Sequence, residues 1–302
     1  MSSAGGGGGG ARALDGDAPA APWLGGAATA AQLASAASAT HLILFDVDGT
    51  LIQCSSRVPG ANRVQEEAFS EGLLRAWGVE GGLRDVEHAG KTDRWILREL
   101  YELKRGAGAE LPLPPAAAVD AAAAVMERHV GAAVASGAMA EGLQLLPGVA
   151  ALLERLRASG RCVLGLVTGN LQAICWAKLG ALGLGAGAGV FSCGGFGSDG
   201  EDRALLIRLA ARRAEAALGA RCAALKVVHV GDTPRDVEAA FRAGAFCIGV
   251  PTGKFSARDL AAEGARLGAG ADRLAVLPDG LADAGAVLRA VGLADLAAGA
   301  ES

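Results

Sequence analysis

Asp46 and Asp48 stand two residues apart where an unbroken apolar run, residues 42–45, comes to an end. A short apolar run of this kind reads as a strand buried on both faces of a parallel sheet. Two carboxylates at the mouth of such a strand repel each other and are poorly solvated, and a bound cation relieves both costs. Asp and Gly also form ordinary turns, but Asp-x-Asp-Gly-Thr is a narrow pattern. Two further strand ends carry similar chemistry. Cys162–Val167 leads into Thr168-Gly169-Asn170, and residues 226–230 lead into Gly231-Asp232-Thr233-Pro234, with Asp236 four positions after Asp232. Hydroxyls, backbone amides and carboxylates suit phosphate and a hard metal ion. Taken singly, Thr168 or Thr233 reads as a helix N-cap; the case rests on the three ends converging.

The elements that would bring them together alternate. From Pro147 onward, helices over Val149–Ala158, 171–182, Arg203–Leu218 and 236–243 are interleaved with strands at Cys162–Val167, 226–230 and 246–250 and a short apolar piece at 190–192. This pattern predicts an α/β fold with a doubly wound parallel sheet. In such a sheet the ligand site lies beyond the carboxyl ends of the strands. Residues 55–146 read differently, with helices over 61–77, 92–104 and 116–134 and no convincing strand, as an inserted all-helical block. Residues 1–40, with a six-glycine run and few large side chains, read as disordered. The expected division is therefore 1–40, a core of 41–54 plus 147–302, and the helical insert 55–146.

Bulk composition narrows the function classes. The formal net charge of −4 over 302 residues leaves no basic footprint for nucleic acid. The longest uncharged stretch after the N-terminal region, from Leu179 up to Asp199, is too rich in Gly to span a bilayer. Six scattered cysteines without a Cys-x-x-Cys pair fit a reducing compartment. The expected location is the cytoplasm. An organelle such as a plastid is the alternative if 1–40 is a transit peptide, although Arg12 is its one basic residue beside Asp15 and Asp17.

Asp-Val-Asp-Gly-Thr, Thr-Gly-Asn and Gly-Asp-Thr-Pro-Arg-Asp resemble motifs I, II and IV of the haloacid dehalogenase-like superfamily. A helical insert between motifs I and II resembles its phosphoglycolate-phosphatase-like branch with a C1 cap. The likeness runs from residue 41 to the C-terminus, including Gly253-Lys254-Phe255-Ser256. It implies a magnesium-dependent phosphatase acting on a small phosphorylated metabolite. Asp46 would be the nucleophile and Asp48 the acid/base, with metal ligation by Asp46, the Asp48 backbone carbonyl and Asp232. Asp236 would support the metal, while Thr168 with the amides of Gly169 and Asn170 would hold the phosphoryl oxygens. The family's motif III lysine is missing from its usual place. Arg203, after Gly200-Glu201-Asp202, is the candidate replacement, with Lys178 as the alternative. Lys226 starts its strand at the end away from the site. Lys91 and Thr92, in His88-Ala89-Gly90-Lys91-Thr92-Asp93, are candidates to face substrate, though Thr92 or Asp93 equally suits a helix cap. Trp95 and Tyr101 read as packing residues and His229 as structural. A β-phosphoglucomutase-like phosphomutase and a non-catalytic binding or regulatory protein remain as rival readings, and oligomeric state is not legible.

Overall fold

The computed structural model describes residues 29–54 and 63–298. Helix α1 (Ala30–Ser38) leads into strand β1 (His41–Phe45), and after a tight turn β2 (Ile52–Cys54) leaves the core. Helices α2 (Arg63–Trp77), α3 (Asp93–Gly106) and α4 (Pro115–Ser136) follow, and β3 (Leu143–Leu145) returns the chain. The remainder alternates: α5 (Val149–Ala158), β4 (Cys162–Val167), α6 (Gln172–Ala181), β5 (Cys193–Gly195), α7 (Arg203–Leu218), β6 (Lys226–Gly231), α8 (Pro234–Ala243), β7 (Phe246–Gly249), α9 (Ala257–Arg266), β8 (Leu274–Val276) and α10 (Ala284–Val291). The α/β expectation holds: six parallel strands run in the order β5-β4-β1-β6-β7-β8.

Strand β1 lies at the centre, and all five of its residues are buried. Ile43 and Phe45 face one apolar layer with Leu152, Leu156 and Val287, while Leu42 and Leu44 face another with Ile207, Ala240 and Leu260. Each such side chain contributes roughly 1.5–3 kcal/mol by leaving water. The register fixes the site. Phe45 is level with Leu166 of β4 and Val230 of β6, so Asp46, Thr168 and Asp232 emerge together at one sheet edge.

Helices α2, α3 and α4 have a core of their own, with Phe69, Leu73, Leu97, Leu100 and Met126 fully or nearly fully buried. Trp77 Nε1 donates to Ala118 O at 2.8 Å, and Trp77 meets Tyr101 edge to face at 5.5 Å. Leu171 and Ile174, at the start of α6, also enter this cluster. The block is thereby seated on the core as well as tethered to it.

Four details depart from the sequence expectations. Residues 30–38, read within the disordered stretch, form α1. Its start carries a capping box between Thr29 and Gln32, and Gln32 Nε2 donates to the carbonyls of Gly189 and Phe191. Residues 1–28 of that stretch lie outside the described residues, as do 55–62 and therefore the first two positions of the helix expected at 61. The antiparallel pair β2–β3 was not foreseen, because three-residue strands show no usable alternation. Strand β5 lies at 193–195 rather than at 190–192, and the short edge strand β8 was missed. None of the six cysteines forms a disulfide, and no helix among the described residues is long and apolar enough to cross a membrane.

Candidate active site

A cavity of about 380 Å³ opens where β1, β4 and β6 end, and Asp46, Asp48, Thr168, Gly169, Asn170, Arg203 and Asp232 all line it. Lys91 and Asp93 reach it from the helical block and Lys254 from the loop after β7. Asp46, Asp232 and Asp236 are buried, and each offers a carboxylate oxygen within 4.8 Å of the others. Gly49, with φ +80°, permits the turn after Asp48. A β-carbon there would sit 2.5 Å from Asp232 Oδ2, so only glycine lets the two loops close.

The three acids are not equivalent. Burial raises the pKa of Asp46, reinforced by the Asp236 charge and opposed by Arg203. Burial also raises that of Asp232, with Asp46 and Asp236 adding to the shift. Burial works against Asp236 as well, but Arg203, His229 and Thr233 together hold its carboxyl far below the usual range. Arg203 Nη1 donates to Asp236 Oδ1 at 2.5 Å and lies 3.2 Å from Asp46 Oδ2. His229 Nε2 bonds the same Asp236 oxygen at 2.9 Å, while the Thr233 hydroxyl and amide donate to the other at 2.6 and 3.0 Å. Both oxygens of Asp236 are thus engaged within the protein, and Asp46 and Asp232 are left as the acids with capacity for a cation. An all-oxygen donor set and two buried carboxylates that resist joint ionisation fit magnesium.

The structure separates the two cations considered for the missing motif III lysine. Arg203 pairs with Asp46, whereas Lys178 is buried and pairs with Asp48. Lys226 stays at the far end of β6, donating to Val291 O.

Motif II is tightly organised. Thr168 Oγ1 accepts from the amide of Asn170 at 3.2 Å and from its Nδ2 at 3.0 Å. The Asn170 amide, expected to face a phosphoryl oxygen, is therefore engaged locally. Gly169 permits a close approach by the helical block: a β-carbon on it would lie 2.3 Å from Lys91 O. The Asp93 amide donates to Gly169 O at 2.7 Å, and Asp93 Oδ2 accepts from the Leu171 amide at 2.8 Å.

Of the candidates on the block, Lys91 lines the cavity but is paired with Glu99 Oε2 at 2.5 Å. Of the two roles open to Thr92, facing substrate or capping, the structure shows the cap: it is 1% exposed and accepts from Trp95 N at the start of α3. Its hydroxyl satisfies a helix-end donor and does not line the cavity. Tyr101 packs as expected, but Trp95 is only half-buried and carries the Arg235 guanidinium 4.6 Å above its ring.

Burial raises the Asp93 pKa to about 7, against the stabilising Leu171 amide and Lys178. An acid whose folded pKa exceeds its unfolded value favours folding at low pH, and that contribution is lost as pH rises from about 4 through about 7. Asp93→Asn keeps an acceptor for Leu171 and removes the charge. It should gain stability on the wild type between about pH 5 and pH 8, by up to a few kcal/mol. Denaturant unfolding at the two pH values measures this, and a constant difference would contradict it.

The haloacid dehalogenase-like hydrolase profile matches residues 40–244. Among curated proteins, none matches the sequence. Among solved structures, a phosphonoacetaldehyde hydrolase-like protein from Oleispira antarctica shares 20% identity, with 85% of this chain and 95% of that one covered and a TM-score of 0.54. A predicted phosphatase from Clostridium acetobutylicum shares 18%, with 83% and 100% covered and a TM-score of 0.52. CbbY from Rhodobacter sphaeroides, in complex with phosphate, shares 24%, with 82% and 96% covered and a TM-score of 0.50. These likenesses show a shared fold, and the profile match across most of the chain, motif segments included, decides the family: the chain belongs to the haloacid dehalogenase-like hydrolases.

Proposed function

We propose that this hydrolase is a magnesium-dependent phosphatase that cleaves a small phosphorylated metabolite through a phosphoryl-Asp46 intermediate. The observation that carries the reading is the setting of Asp46: buried and lining the cavity, with Arg203 Nη1 3.2 Å away and Asp232 within ligand distance.

In the first step an Asp46 oxygen attacks phosphorus and the ester P–O bond breaks. Its electron pair stays on the departing oxygen, which takes a proton from the Asp48 carboxyl. In the second, water attacks phosphorus and gives a proton to the Asp48 carboxylate. The P–O bond to Asp46 breaks, restoring its carboxylate and releasing phosphate. Asp46, the Asp48 backbone carbonyl and Asp232 would hold magnesium. When bound, the ion neutralises repulsion between the Asp46 carboxylate and an anionic ester.

Arg203 supplies a fixed positive charge beside the reacting centre, with its Nη1 3.2 Å from Asp46 Oδ2. Asp236, saturated by four hydrogen bonds, holds Arg203 in place. Thr168 shapes the loop on which Asn170 sits. Asp93 seats the helical block, a C1-type cap, on that loop through its bonds to Leu171 and Gly169.

The test is turnover of a generic aryl phosphate with magnesium. Hydrolysis should stop on chelation, return when magnesium is restored, and fall by about 10³-fold or more in Asp232→Asn. Hydrolysis insensitive to chelation would reject the reading.

A further inference from the structure

Lys178 is not used by the mechanism above, yet it is a cation buried to 2% exposure at the junction of core and helical block. It does not line the cavity, so it is not placed to grip a phosphoryl group. Its Nζ instead lies 2.9 and 2.8 Å from the two Asp48 oxygens, 3.0 Å from Asn170 Oδ1 and 2.8 Å from Gln65 Oε1. Asn170 Nδ2 donates to Asp48 Oδ2 at 2.5 Å. The Asp48 carboxylate is thus grasped by two side chains from the core, while 43% of its own surface stays open. Gln65 belongs to α2 and lines the cavity, so one acceptor of Lys178 comes from the helical block.

An ammonium has three N–H bonds, and four acceptor atoms surround this one. How firmly Lys178 holds Asp48 therefore depends on how much of it Gln65 takes. We propose that Lys178 is a positioning residue that sets the orientation of the Asp48 carboxylate, and that Gln65 makes this setting depend on the seating of the helical block. The inference rests on the Asp46–Asp48 phosphatase reading and adds a residue pair that prepares its acid/base for use.

The readout is leaving-group selectivity. For a two-step transfer, kcat/KM reports the steps through release of the leaving alcohol. An alkyl ester needs a well-placed proton there; an aryl ester, whose phenolate leaves readily, needs it far less. Lys178→Met should lower kcat/KM by about 100-fold for an alkyl phosphate and by less than about five-fold for an aryl phosphate. Gln65→Leu should do the same more weakly, shifting the alkyl-to-aryl ratio by about five-fold. Should Lys178→Met fail to fold, the Gln65→Leu ratio decides alone, since Gln65 is only half-buried. Equal losses on both esters, or an unchanged ratio, would overturn the inference while Asp46-dependent turnover in the wild type still stood. A wild type without Asp46-dependent turnover would overturn both.

Discussion

Asp46→Asn eliminates turnover, by about 10⁴-fold or more in kcat, and at the same time makes the metal-free chain more stable. The first effect follows from chemistry: a carboxamide offers no anionic oxygen to attack phosphorus, and no phosphoryl intermediate can form. The second follows from the setting. Asp46 is buried beside Asp232 and Asp236, and its environment on balance disfavours the charged form even with Arg203 present. A carboxyl whose folded pKa is raised loses stability for the fold as pH climbs from its unfolded value to its folded one. The neutral amide is spared that loss. The gain should be roughly 1 kcal/mol at about pH 8, a rise of a few degrees in the unfolding midpoint. Adding magnesium should reverse the order, because the wild type alone keeps both acidic side-chain ligands. Trapping the phosphorylated chain by mass spectrometry and comparing melting curves with and without magnesium tests both halves. Residual turnover within about 100-fold of wild type would mean another nucleophile. A less stable variant without metal would mean that Arg203 outweighs burial at this position.

The contrast between what the sequence disclosed and what it hid has a physical basis. Residues that follow a buried strand are legible, because an apolar run ending in polar residues marks a sheet edge wherever the strand sits. That such ends meet on one edge follows from a parallel sheet; that β4 and β6 are the direct neighbours of β1 came from the structure. Arg203 was a candidate because it stands where the resembling family carries its motif III lysine, and Asp236 was a candidate metal support one helical turn from Asp232; that the two pair with each other came from the structure. What escaped was a set of side-chain contacts between elements far apart in the chain. Lys178 meets Asp48 across 130 residues and Gln65 across 113, and no local pattern encodes which carboxylate a buried lysine will choose. Asp93 looked like a helix residue near a cap; its hold on the Leu171 amide depends on how the block lands on Gly169. Thr92 was left open between two readings, since a cap and a ligand contact use the same hydroxyl and only packing decides between them. Helix α1 was hidden by composition: alanine-rich sequence beside a glycine run looks disordered until a Thr29–Gln32 capping box and contacts to the 189–191 loop are seen.

Arg203 is the position where activity and fold should fail together. It is 8% exposed, and a single nitrogen, Nη1, serves both Asp236 and Asp46. Arg203→Met would leave those two carboxylates buried with His229 as the nearest basic group. Removing one partner of a buried ion pair costs about 3–5 kcal/mol, and losing a fixed charge at the reacting centre costs about 10²–10³-fold in kcat. Arg203→Lys is the discriminating variant. Because one atom makes both contacts, an ammonium can in principle replace the guanidinium there, at the expense of a shorter reach and the second fork nitrogen. It should recover most of the stability and about a tenth of the activity. Urea unfolding midpoints beside kcat for the three proteins give the answer. If Lys restores stability without activity, the guanidinium plane touches the phosphoryl group directly. If Met is as stable as wild type, Asp236 takes up a proton on losing its partner, and its four-fold hydrogen bonding is a weaker constraint than the distances imply.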